Sequence, residues 1–512
     1  MPLLTRKKQL ALVIEGTPGV PASSALTTVA NAAMLVFDAS LSPSVEYVDR
    51  DYIRDSISPL KQTPGLKLAD MSFSTEMRGP KAPDNETGDD APLWMRLLEA
   101  ANFRKVQHYN IVTGVGALAS GPLRHGELAD INGTAASVIR ILHEVHDGDT
   151  TIYYELISGT PAADASTCIG QSTGATCTLS TPTYALDGWT YYPISKTQFT
   201  VSTTGTLSGA ISAGDVIEFQ NSGAQTGRGV VTSYDGTVTP DVLIYELIRG
   251  VPANTNTVVN LSQTGTGLTL SSVPSYYQGA TFAASLFEDG LKTTLLAGRT
   301  NVTVSLEANN PGSIEVTGQG KLDTSAPDAD GGTGDYALLA GIDYDLSSPP
   351  LWEGATIMVA DNEGGATTRD DEQEPCLTTL SLDIGNSLTQ RRCAGATNGL
   401  EEIAITERAG TASMDPEATL ETDIDWLSMW QTGDVMRLRT TLGTAAGDSF
   451  TISAPGIQVT GAASGDRDGM MTRDFSGNLT GGNLTNLDGG TVTLSSGGGD
   501  NELVISYHAV HP

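Results

Sequence analysis

The chain has 512 residues and a formal net charge of −32, a length that exceeds one small core and implies about three or four domains at roughly 150 residues each. So acidic a surface repels phosphate, which excludes nucleic-acid binding through a basic patch. Four cysteines in the whole chain exclude a disulfide framework.

The composition, with 57 Gly and many Thr and Ser between short apolar runs, predicts a mainly β fold with little helix. At the N-terminal end, basic residues precede Gln9–Ile14, but Glu15 ends that apolar patch too early for a signal peptide. No stretch reaches the roughly 18 apolar residues of a membrane helix. The expectation is a protein made in the cytoplasm, with no membrane partner.

In chain order, Ala33 to Val48 reads as extended and leads through a polar loop to Leu66–Met77. There Met71, Phe73 and Met77 alternate with Ser72, Ser74 and Glu76, the pattern of a long hairpin with one buried face. A helix is predicted next. Asp90 can cap it, Pro92 suits its first turn, and Leu93, Trp94, Leu97, Leu98 and Ala101 form one stripe.

Two repeats follow from the middle and the ends of the chain. Ile152–Pro161 (IYYELISGTP) recurs as Leu243–Pro252 (LIYELIRGVP), each inside a small β module. The second repeat relates the two ends. Leu380, Leu382 and Ile384 alternate with Ser381 and Asp383, Arg391–Gly399 turns the chain, and Ile403 and Ile405 return. Asp415-Pro416 is expected to open a second helix carrying Leu420, Ile424 and Leu427. Val304-Ser305 with Pro311–Gly318 is aligned with Ile452-Ser453 and Pro455–Gly461. The predicted organisation is a first unit over 1–112 and 275–345, inserted modules at 113–205 and 206–274, and a second unit over 346–512.

Chemical motifs fail on context. Gly170–Gly174 matches a nucleophile elbow around Ser172 only on paper, because it lies in a hairpin turn with no helix after it. Gly318–Leu322 lacks the spacing of a phosphate loop. His143 and His146 are too close, in a β segment, for a helical metal face, and Asp323, Asp328, Asp330 and Asp335 lack calcium-hand spacing. No catalytic residue, cofactor or metal is therefore expected. The thiols read as ordinary, although Cys168 and Cys177 flank a hairpin tip across which a bridge is open to them.

Glu15–Gly19, Leu41–Val48, Pro64-Gly65, Ser72–Gly79 and Leu93–Leu98, together with the strands from Thr281 to Gly320, resemble siphophage major tail tube proteins. The likeness covers the first unit directly and the second only through the duplication. It implies tandem β-sandwich units, each with one flanking helix and a long hairpin that joins neighbours in a closed barrel around a lumen. Rings of the family are similar to hexamers of single units, so two units per chain imply a homotrimer with pseudo-sixfold symmetry, the alternative being a hexamer.

The resemblance further implies self-assembly into stacked rings and partners in the tape-measure protein, the tail terminator and distal tail or baseplate proteins. DNA would slide past an acidic wall without specific binding. Asp51, Tyr52, Ile53 and Arg54 in the loop Arg50–Gln62, with Arg391 and Arg392, are the expected stacking or inter-subunit residues. The inserted modules would lie outside the tube. Two readings compete: a secreted or surface-displayed glycan-binding protein using Trp189, Tyr191, Tyr192, Tyr276 and Tyr277, and a baseplate or neck ring of the same fold.

Overall fold

The structure is a computed structural model that describes residues 8–15, 33–49, 61–80, 91–323, 348–361, 374–419, 426–480 and 502–509, apart from short connecting turns inside these ranges. Among the described residues 69% lie in strands and 5% are helical. The protein is mainly β, as its composition predicts.

The first unit opens with β1 (Lys8–Glu15), β2 (Ala33–Met34), β3 (Phe37–Val48) and β4 (Thr63–Glu76). A 3-10 turn, Leu93–Met95, then runs into α1 (Arg96–Ala100). Trp94, Leu97 and Leu98 are buried as the apolar stripe requires, and the Trp94 indole donates to the Arg78 carbonyl at 3.1 Å.

The first inserted module follows as β5 (Phe103–Val112), β6 (Val115–Ala119), β7 (Leu128–Asn132), β8 (Ser137–Ile141), β9 (Thr151–Ser158), β10 (Thr167–Gly170), β11 (Thr176–Leu179) and β12 (Thr183–Pro193). The second is β13 (Gln198–Thr204), β14 (Val216–Asn221), β15 (Ala224–Asp235), β16 (Asp241–Gly250), β17 (Thr257–Asn260), β18 (Gly265–Leu270) and β19 (Ser275–Tyr277).

Their strand pairings correspond one to one. In the second module β14 pairs with β15 and β17, β15 with β16, and β17 with β18, while β13 takes β16, β18 and β19. In the first, β7 through β12 repeat this order, with β5 and β6 sharing the place of β13. Closing β13 onto both β16 and β18 makes a small barrel, which removes free strand edges. Each module has its own core, one around Ile111, Ile139 and Tyr154 and the other around Phe219, Val231 and Tyr245.

The pairings also shift the sequence-based boundaries. Residues 103–112, placed in the first unit, form β5 of the first module; 198–204, placed in the first module, form β13 of the second; and 275–277, placed beyond both, pair with β13. A periodicity shows that a strand exists but not which sheet accepts it.

The first unit resumes with β20 (Thr281–Glu288), β21 (Leu291–Glu307) and β22 (Ser313–Leu322). The second comprises β23 (Ile357–Asp361), β24 (Thr379–Asp383), β25 (Asn386–Arg392), β26 (Leu400–Arg408), β27 (Thr411–Met414), α2 (Trp426–Thr432), β28 (Val435–Leu442), β29 (Ser449–Arg467), β30 (Met470–Leu479) and β31 (Val504–His508). The first unit pairs in the order β1-β20-β21-β22-β4-β3. The second pairs in the order β23-β28-β29-β30-β27-β24. The three central strands have 8, 17 and 10 residues in one and 8, 19 and 10 in the other. One apolar core runs through both units.

Two details of the expected duplication change. Asp415-Pro416 does not open a helix: Asp415 accepts the amides of Thr378 and Thr379 at 2.9 and 2.7 Å, and the helix starts at Trp426. Leu420 and Ile424 lie outside the described residues. Pro311-Gly312 sits in the turn before β22 whereas Pro455-Gly456 lies inside β29, so those similar segments occupy non-equivalent strands. The pairing order carries the repeat instead.

Candidate assembly surface

The long hairpin β3–β4 pairs from Phe37↔Ser74 to Val48↔Thr63. Ala69, Met71 and Phe73 turn inward, while β3 is mostly exposed, with Phe37 at 53% and Tyr47 and Val48 at 57%. Apolar side chains this open on a long edge strand mark a contact surface more readily than scattered surface residues would. Among the described residues β3 pairs only with β4, and β25 and β26 pair only with each other.

The two hairpins meet inside the chain. Leu66 and Leu68 of β4 pack on Leu400 and Ile403 of β26, and Lys321 Nζ donates to the Glu401 carbonyl at 2.8 Å. Arg392 reaches Glu46 of β3 at 2.9 Å, and Arg391 reaches Glu402 across its own hairpin at 2.8 Å. Both arginines are largely exposed, so these pairs align the hairpins and add little stability. Asp51, Tyr52, Ile53 and Arg54 lie outside the described residues.

Among the described residues one pairing of named strands joins the units. The last five residues of β21, Thr303–Glu307, run antiparallel to all of β24, from Thr303↔Asp383 to Glu307↔Thr379. Buried Asn386 locks this joint: its amide group donates to the carbonyls of Ala101 and Thr300 at 2.9 and 3.1 Å, and its backbone N–H donates to Asn301 Oδ1 at 2.8 Å. Sequence reasoning missed Asn386, since its partners lie up to 285 residues away.

Each half of this joint has a counterpart. Leu41 of β3 faces Met71 as Leu380 of β24 faces Met414, and the two methionines lie opposite the sixth residues of β22 and β30, Gly318 and Phe475. Ser40–Ser44 thus correspond to β24, and Gly465–Arg467, the last three residues of β29, correspond to Thr303–Ser305, both sets lying opposite the first three residues of β30 and β22. Ser40–Ser44 pair only with β4, and Gly465–Arg467 only with β30, among the described residues. Pro43 leaves β3 one N–H donor short, which limits indiscriminate edge pairing.

At the end of β29, Arg467 reaches Asp415 Oδ2 at 3.3 Å and Glu417 at 2.6 Å. Burial by itself would raise the Asp415 carboxyl, but hydrogen bonds from Thr378 and Thr379 hold it below the usual carboxylate range. This network ties the start of β24 to the free end of β29.

The remaining sequence candidates fall elsewhere. Ser172, Asp328, Asp330 and Asp335 lie outside the described residues. Cys168 and Cys177 are buried, unbridged and directly opposite each other on β10 and β11. Tyr191 and Tyr192 are buried, and Trp189 is partly buried beneath Lys105 Nζ, 4.0 Å from its ring centre, so these three pack the interior. Compared with protein-family models and with curated proteins, the chain matches none.

Proposed function

We propose that this chain is the major tail tube subunit of a long-tailed bacteriophage, a non-enzymatic virion protein whose rings stack into the conduit for DNA. The observation that carries this reading is the β21–β24 joint together with its two counterparts that pair with no second strand among the described residues, Ser40–Ser44 and Gly465–Arg467. A pairing made once within the chain can be repeated between chains, from β29 of one copy to β3 of the next. Such a head-to-tail contact closes into a ring when the rotation per unit divides the circle. Three chains supply six units and give a pseudo-sixfold ring.

Two further features support the reading. The exposed Phe37, Tyr47 and Val48 lie on the strand that would be covered. The net charge of −32 suits a wall that DNA slides along without counterion release. Tape-measure, terminator and distal tail proteins are the partners that such a tube requires, the virion tail is its place, and the two modules would stand on its outside.

Purified full-length protein, concentrated and viewed by negative-stain electron microscopy, tests the proposal. Hollow tubes or stacked rings are expected, with three chains per ring in end-on averages. Compact monomers that persist with tape-measure protein and assembly initiator present would refute it.

A further inference from the structure

Where the first inserted module meets the second unit, four strands run side by side in the order β5, β12, β31, β29. His108 of β5 lies at Gly188 of β12, and Gly188 lies opposite His508 of β31. The β5–β12 register slips between Leu186 and Gly188, which makes Asp187 the extra residue of a bulge. A bulge re-aims a side chain, and here it turns the Asp187 carboxylate between the two histidines. Oδ2 lies 3.0 Å from His108 Nε2 and 2.8 Å from His508 Nδ1. All three side chains are at most 1% exposed.

The outer imidazole nitrogens are also held. His108 Nδ1 is 3.0 Å from the Thr190 hydroxyl, and His508 Nε2 is 2.8 Å from that of Thr451. From Thr190 the chain of contacts continues to Ser506 at 2.8 Å, then to His143 Nε2 at 2.9 Å, and His143 Nδ1 ends on Ser453 at 3.2 Å. Hydroxyls both donate and accept, so this relay is satisfied in either direction. In one direction the inner nitrogens carry hydrogens toward Asp187. In the other the outer nitrogens carry them, and the inner lone pairs are free to bind an ion.

We propose that His108, Asp187 and His508 bind one zinc-class divalent ion, which staples the first inserted module to the second unit. Two imidazole nitrogens and one carboxylate oxygen, all within 4.8 Å of one another, form a donor set that such an ion takes. Hydroxyls on the far nitrogens fix ring orientation and tautomer, as outer partners of metal-bound histidines do. Bulge, glycine and relay together make a built site, drawn from strands far apart in the sequence.

The test uses untagged full-length protein from zinc-supplemented medium, desalted and assayed by elemental mass spectrometry. About one zinc per chain is expected, with a melting temperature that falls on chelation and returns on adding zinc. Asp187→Asn should drop the content to background. Thr190→Val, which removes the hydroxyl between the outer nitrogen of His108 and Ser506 and touches no inner nitrogen, should weaken zinc binding about 10–100-fold. Wild-type protein that holds no zinc, and whose melting temperature ignores both zinc and chelator, overturns the proposal even if a variant fails to fold. So does zinc that Asp187→Asn retains in full.

Discussion

Replacing Gly188 by alanine tests the bulge that joins the first module to the second unit. A Cβ at this position would lie 2.1 Å from the Tyr507 carbonyl oxygen and 3.3 Å from the Ala509 nitrogen, both backbone atoms of the neighbouring strand. Ordinary contact needs about 1 Å more, and no side-chain rotation supplies it, so β31 must move. That movement strains the bond from Ala509 N–H to the Asp187 carbonyl, now 2.8 Å, and the pairing Gly188↔His508. Losing one or two such bonds costs about 1 kcal/mol each, and overpacking adds about 1–3 kcal/mol. The expected loss is about 2–5 kcal/mol in urea unfolding, followed by the fluorescence of the adjacent Trp189. Gly395→Ala is the control, because a Cβ there meets only Cys393 Sγ at 3.9 Å. A Gly188→Ala loss within about 0.5 kcal/mol of that control would show that the bulge relaxes without β31 and would refute the argument.

Trp94→Ala should cost about 3–5 kcal/mol, since the indole is buried in the first unit and its ring centre lies 5.6 Å from that of Phe450 in the second; calorimetry reads this. Tyr47→Glu combined with Val48→Glu should leave monomer unfolding within about 0.5 kcal/mol of wild type while abolishing rings in sedimentation velocity; rings at the wild-type yield would mean that β3 is not covered. Asp415→Asn should cost about 1 kcal/mol at neutral pH, kept small by partial exposure. Because the folded carboxyl is held low, its contribution is present above the unfolded value of about 3.9 and fades as pH falls through the folded value. The gap between wild type and Asp415→Asn should therefore close on acidification, and a gap that widens would reverse the sign.

Local patterns in the sequence were legible where one face met the core. The alternation through Met71 and Phe73, the stripe through Leu97 and Leu98, and the alternation of Leu380 and Leu382 each specify an element the structure contains. The repeated YELI segments mark β9 and β16, which hold equivalent places in the two modules. What eluded sequence reasoning depends on partners. An Asp-Pro pair suits a helix start, but the Asp415 carboxylate takes the amides of Thr378 and Thr379, 37 and 36 residues away, which no local pattern announces. The similar segments at 311–318 and 455–461 share a β pattern but not a place in the sheet. The histidine centre gave little warning, since His508 lies 321 residues from Asp187. An acidic residue beside glycine in a strand was its one local sign.

The pairing of β1 with β20 bears on how the polypeptide reaches this state. Lys8–Glu15 must wait for Thr281–Glu288, and the described elements between them are β2, the hairpin, the helix and the two modules. Contacts so distant in sequence slow folding, because loop entropy is lost before the contact is gained. Each module closes on its own strands and core, so each can condense as it leaves the ribosome. Once condensed, they turn a long floppy excursion into two compact beads on short tethers and bring β1 and β20 within reach. On this view the insertions act as folding intermediaries for the unit they interrupt.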